Sequence, residues 1–236
     1  MEAIQSRAMN TFAETQAASR SRIYSFIAEC FRYPDGQFRA QAQNGDIQSA
    51  FGQLFSALPY AFDWTEKEQI GHEGIAAAAD EAIEVEFIRL FEAGPGNPPC
   101  PLQEGLYRED RKTVFKELVL FYNHFGLSYE AGSQADRPDH VCYEMEFLHY
   151  LTFKELLAIQ NGKESLPYMR AQRDFLDRHP GRWLPDLVRK MDKIGNHPPE
   201  THDAAMEVFW FYAGLAGMVA RFAAAESGYL NRLLNK

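Results

Sequence analysis

Wherever apolar residues form a stripe in this chain they return at intervals of three and four, never strictly at intervals of two. Ile23, Phe26, Ile27, Cys30 and Phe31 stand at i, i+3, i+4, i+7 and i+8, the spacing that lays one face of an α-helix on a core. That helix is read from Asn10 to the stop signal Tyr33-Pro34-Asp35-Gly36. Ile47, Phe51, Leu54, Phe55 and Leu58 repeat the pattern, with Asp46 placed as N-cap and Pro59 as the stop. Further helical stretches run over Thr65–Glu92, with breaks at Gly71 and Gly74, then from about Asp110 to Gly126 and from Asp139 to about Asn161. The last ones occupy residues 164–179, Trp183–Ile194 and Asp203 to about Leu234, and no segment of four to eight residues alternates with β-branched enrichment. The expectation is an all-α protein, a single domain over residues 1–236 with about eight to ten helices and no repeat of fixed period.

Composition limits what such a bundle does. Net charge is −9 with a sequence pI near 5.3, and basic residues fall singly or beside acids, as in Arg108-Glu109-Asp110-Arg111-Lys112. A nucleic-acid binder needs a clustered basic stripe, so none is expected here. An acidic surface suits basic partners, including arginine-bearing peptides, and equally suits plain solubility. The aromatic share of 14% exceeds what a small core needs, leaving rings to line a groove. Cys30, Cys100 and Cys142 are an odd set without a C-x-x-C, which predicts a reducing compartment rather than a disulfide framework. No secretory leader is read in the first thirty residues, and the apolar stretch Ala204–Ala225 is interrupted by Glu207 and Arg221. It is read as a buried helix and the protein as cytoplasmic, without a membrane segment.

Catalytic motifs are scarce. Glu146-Phe-Leu-His149 is one Glu-x-x-His, but a di-iron bundle needs two such pairs and two more helical glutamates. His140 and Glu144 could extend it to a mononuclear site, the basis of the rival reading as a helical metal-dependent enzyme. Against that stand the missing His-Glu-x-x-His, the missing Gly-x-Ser-x-Gly and the missing Lys-Ser/Thr after Gly94-Pro95-Gly96. No cofactor or metal is expected.

Two irregular segments carry more information. Residues 93–107 hold four prolines and three glycines, too many for a regular element, and read as a long packed loop. A second loop, Ser128–Arg137, meets Pro138-Asp139-His140, where Asp139 is placed as the N-cap of the following helix. His140 in that first turn is neither a favoured cap nor a welcome cation, so it faces a ligand or bonds within the loop.

Leu90-Phe91, the Pro98-Pro99 loop, Tyr107, Phe125-Gly126-Leu127 and then Pro138-Asp139-His140-x-x-x-Glu144-x-Glu146-Phe147-Leu148 together resemble the TorD/DmsD/NarJ family of molybdoenzyme maturation chaperones. The resemblance is close over about residues 84–160 and looser elsewhere, taking in Phe175-Leu176-x-x-His179 and Trp183-x-Pro185. It implies a non-catalytic cytoplasmic chaperone that binds the twin-arginine signal peptide or the apo catalytic subunit of a molybdoenzyme until its molybdenum cofactor is inserted. A nitrate-reductase-type assembly chaperone for a non-exported subunit is the alternative. It carries the family's binding residues onto Pro138, Asp139, His140 and Glu144, with Leu90, Phe91, Pro99 and Tyr107 as the facing wall. Glu146 and Phe147 join them as an acid beside an apolar face, suited to a basic pair followed by an apolar run. Where many members read Pro-Pro-Tyr-Glu-Ser before the tyrosine, this chain reads Pro98-Pro99-Cys100-Pro101-Leu102-Gln103-Glu104-Gly105-Leu106-Tyr107, which looks more like the chaperones of the ethylbenzene, dimethyl sulfide, chlorate and selenate enzymes. A monomer or homodimer is consistent with all of this.

Overall fold

Thr11 opens the first helix through a capping box: its hydroxyl accepts from Glu14 N–H at 3.2 Å while the Glu14 carboxylate accepts from Thr11 N–H at 3.0 Å. The computed structural model describes residues 11–128, 137–196 and 203–235. Asn10, and residues 129–136 of the loop read from Ser128, lie outside the described residues. Among the described residues ten α-helices follow in order: α1 Phe12–Cys30, α2 Gly36–Gln43, α3 Asp46–Phe55, α4 Glu66–Gly74, α5 Asp80–Phe87, α6 Arg111–His124, α7 Val141–Gln160, α8 Leu166–Arg178, α9 Pro180–Asn196 and α10 Asp203–Leu234. Among the described residues there is no strand, only an isolated bridge between Gln103 and His140.

Several boundaries differ from the sequence reading. The segment read as the stop after α1 is also a start, because Asp35 accepts from Phe38 N–H at 2.8 Å and caps the unread helix α2. Asp46 is the first residue of α3, and the cap position belongs to Gly45 at φ 77°. The 65–92 stretch breaks after Gly74 into a 3-10 turn, Ile75–Ala77, before α5. Gly71 stays helical for a packing reason: a Cβ there would lie 2.3 Å from the Trp210 carbonyl oxygen, so α4 crosses α10 at close range. Gly181 and Gly195, read as bounds of a shorter helix, fall inside α9.

Packing is organised around two centres. α1 lies along α7, while α10 is flanked by α4, α8 and α9, with α8 bridging to α7. By length and composition α10 could cross a membrane. Here Val208, Phe209, Phe211, Tyr212, Leu215 and Phe222 are fully buried in one apolar cluster that reaches Ile23 in α1. Burying a side chain of this kind contributes about 1.5–3 kcal/mol.

Arg20 joins the two centres. Its guanidinium, wholly buried, meets Glu155 of α7 at 3.0 Å, Gln172 of α8 at 2.6 Å and Glu226 of α10 at 2.8 Å. Tyr24 and Tyr60 donate to the same Glu226. Each guanidinium nitrogen thus has a partner, which is what a charge in an interior requires.

Candidate functional site

The helix α5 continues into a π turn, Ile88–Glu92, which offers the Leu90 carbonyl to the proline loop, while Phe91 lies almost wholly buried behind the groove. Cys100 N–H donates to Leu90 O at 2.8 Å. Further on, the loop is tied to the start of α7: Val141 N–H donates to Leu102 O and Glu104 N–H donates to Asp139 O, both at 2.8 Å. Tyr107 donates its hydroxyl back to Pro101 O at 2.8 Å. Long and proline-rich as it is, the loop is fastened at both ends.

Behind it lies a buried cluster of acids. Glu104, Asp139, Glu144 and His179 are all without solvent exposure. Gly105 N–H donates to Asp139 Oδ2 at 3.0 Å, Trp183 Nε1–H donates to Glu144 Oε2 at 2.9 Å, and His179 Nδ1 sits 2.8 Å from Glu104 Oε2. Arg108 approaches the other Glu104 oxygen only to 3.9 Å. Asp139 Oδ1 and Glu144 Oε1 are buried without a hydrogen-bond partner. Burial pushes the Asp139 carboxyl up to about 6, partly offset by the Gly105 N–H. Burial, and then the neighbouring Glu104, push Glu144 up as well, against the Trp183 N–H. The cluster works as a latch that holds the loop on α7, α8 and α9.

In front of the loop is an open groove of about 730 Å3. Its apolar wall is Phe31, Phe87, Phe91, Pro98, Leu102 and Leu106, and its charged groups are Arg32, Glu92, Arg137 and Glu146, with His140 and Tyr143 on the α7 side. A smaller pocket of about 280 Å3, floored by Leu127, Phe147 and Tyr150, shares Tyr143 and Glu146 with it. Arg32, at the end of α1, forms an ion pair with Glu146 on α7, both partly exposed.

The structure divides the residues singled out from sequence. His140, Glu146 and Phe91 line the groove, and Phe147 lines the adjoining pocket while packing on Tyr122 and Phe175. Pro138, Asp139 and Glu144 are interior, and Leu90 is core. Pro99 is exposed beside the lining residue Pro98. Tyr107 faces away, packed on Trp183 at 5.3 Å with Lys190 over its ring.

The capping assignment is corrected: His140, not Asp139, caps α7, its Nδ1 accepting from Cys142 N–H at 3.2 Å. Asp139 is spent on Gly105 instead, a residue 34 positions away. The residues proposed for a metal do not converge: Glu144 meets Trp183, Glu146 meets Arg32, and His149 Nδ1 sits 2.9 Å from the Ser21 hydroxyl. Among the described residues no group of three or more His, Cys, Asp or Glu could hold a metal ion. Sequence reasoning missed Glu104 in the latch and Arg32 and Tyr143 in the groove. His179 and Trp183 were visible only as parts of the resemblance.

Residues 72–189 match the family described as nitrate reductase delta subunit. A chlorate reductase assembly chaperone protein from Ideonella dechloratans is 30% identical over 187 residues, 78% of this chain and 82% of that protein. The chain belongs to the TorD/DmsD/NarJ family of assembly chaperones. A selenate reductase assembly chaperone protein from Thauera selenatis is 37% identical over 149 residues, covering 61% of this chain and 74% of that one. A perchlorate reductase assembly chaperone protein from Dechloromonas aromatica is 33% identical, covering 74% and 78%. Selenate and chlorate are two of the enzymes to which the Pro98–Leu102 variation pointed. These relatives are named for assembling enzymes, not for catalysis, and this family member is not an enzyme. A putative redox enzyme maturation protein from Archaeoglobus fulgidus superposes at a TM-score of 0.45 with 19% identity, over 97% of this chain and 99% of that one.

Proposed function

We propose that this chaperone serves the catalytic subunit of an exported molybdoenzyme, binding its twin-arginine signal peptide in the cytoplasm until the molybdenum cofactor is in place. The observation that carries the reading is the groove, where Phe31, Phe91 and Leu106 lie beside the carboxylates of Glu92 and Glu146, with the guanidiniums of Arg32 and Arg137 among them. A basic pair followed by an apolar run is complementary to that arrangement. The relatives' names, selenate, chlorate and perchlorate reductase assembly chaperones, support a client of that class.

Calorimetry with a synthetic peptide of two arginines and an apolar run tests it. Micromolar affinity is expected, since a disordered peptide loses entropy as it docks. Glutamines in place of the arginines should abolish the salt dependence and part of the affinity. Serines in place of the apolar run should abolish most of it, because burial at roughly 25 cal/mol per Å2 is the larger contribution. If the folded apo-subunit binds and no peptide does, the client's mature domain is the ligand, as for a chaperone of a non-exported subunit.

A further inference from the structure

Glu146 stands on the ridge between the groove of about 730 Å3 and the pocket of about 280 Å3, lining both. Its carboxylate is taken by a guanidinium of the chain itself. Arg32 arrives from the turn after α1, two residues beyond Cys30, and so from a different element than α7. Its side chain is 59% exposed and that of Glu146 is 39% exposed, so the pair is exchangeable with solvent. Partly exposed apolar side chains on either side, Leu127 and Tyr150 on one and Leu106 on the other, backed by the buried Phe147, Phe31 and Phe91, are the surroundings that an arginine flanked by apolar residues would need.

We infer that Arg32 is a resident stand-in for a client arginine: it occupies the Glu146 carboxylate in the free chaperone and is displaced when an arginine-bearing peptide docks. The inference rests on the signal-peptide reading of the groove and adds a residue and a competition to it. The internal pair filters ligands. A peptide without arginine gains nothing by opening it, whereas one with arginine replaces one guanidinium–carboxylate pair by another and keeps its apolar contacts. Exposed pairs of this kind are weak, so displacement carries a small penalty.

Two variants and their combination test this by calorimetry with the peptide of two arginines and an apolar run, and with its glutamine counterpart. Arg32→Gln is expected to bind the arginine peptide about two- to five-fold more tightly, the range set by the strength of an exposed ion pair, and the glutamine peptide unchanged. Glu146→Gln should weaken the arginine peptide. In the Glu146→Gln background Arg32→Gln should then have no effect. Persistence of the gain there would make it a long-range charge effect and overturn the competition. Unchanged or weaker binding by Arg32→Gln, with wild type still preferring the arginine peptide, would also overturn it while leaving the signal-peptide reading standing. If wild type bound neither peptide, reading and inference would fall together. Thermal melts of each variant check that both exposed positions leave the fold intact.

Discussion

Asp139 is a carboxylate placed where its charge is unwelcome. Its titration near 6 in the fold, against the ordinary 3.8 for aspartate, means the native state holds a proton that the unfolded chain has lost between those values. The contribution to stability is therefore full below about pH 4, declines as pH rises through about 6, and is flat above. Glu144 shifts in the same direction. Asp139→Asn keeps an oxygen for the Gly105 N–H and removes the charge. Urea unfolding of that variant should lose slope between pH 4 and pH 6, and at pH 7.5 the variant should exceed wild type by about 1–3 kcal/mol. An unaltered slope would remove Asp139 from the account. The acid itself was plain in the sequence, but its role was misread because Pro-Asp before a helix has the local form of a cap. What decides the matter is a glycine 34 residues upstream, and local pattern does not encode such a partner. His140 escaped for the opposite reason, since an imidazole is not among the usual caps.

At the scale of elements, the proline loop shows that irregular backbone need not be slack. Its prolines and glycines kept α-helix out, though Glu104–Leu106 forms one 3-10 turn, and Leu102 forecast packing, yet the fastening points emerge only in three dimensions. Gly105 is the tightest of them: a Cβ there would lie 2.6 Å from Arg111 Cγ and 2.8 Å from Asp139 Oδ2. Gly105→Val should therefore push the loop off the latch, lower stability by about 1–3 kcal/mol and leave helical content unchanged. Hydrogen exchange should then show the amides at positions 104 and 105 losing protection while those of α10 retain it, and equal loss in both would mean general unfolding instead. The long helices were legible because 3.6-residue periodicity is written locally in each stripe. Helix α2 was not, since its eight residues hold only two buried side chains, Phe38 and Ala42. Of the two α7 carboxylates read into the groove from sequence, only Glu146 faces it, as one turn of α7 sends Glu144 inward to Trp183 and Glu146 outward to Arg32.

Across the whole molecule, Arg20 sets the terms on which α1, α7, α8 and α10 meet. Truncating it would strand Glu155 and Glu226 in the interior, and Arg20→Ala should cost about 3–5 kcal/mol. Combining it with Glu226→Gln should recover part of that in denaturant titrations, whereas strictly additive losses would mean the groups do not act together. No reading of periodicity finds this junction, because its members carry no motif and are scattered from α1 to α10. The same separation has a consequence for biosynthesis. Arg20 and Glu226 are 206 residues apart, so at roughly 5–20 residues per second a nascent chain carries the first helix for about 10–40 s before its last counter-charge exists. Until then the α1 and α7 pair has a cation with one of its two carboxylates and a broad apolar flank waiting for α10. A chaperone of other proteins thus passes through its own interval of incompleteness, one that ends only when α10 leaves the ribosome.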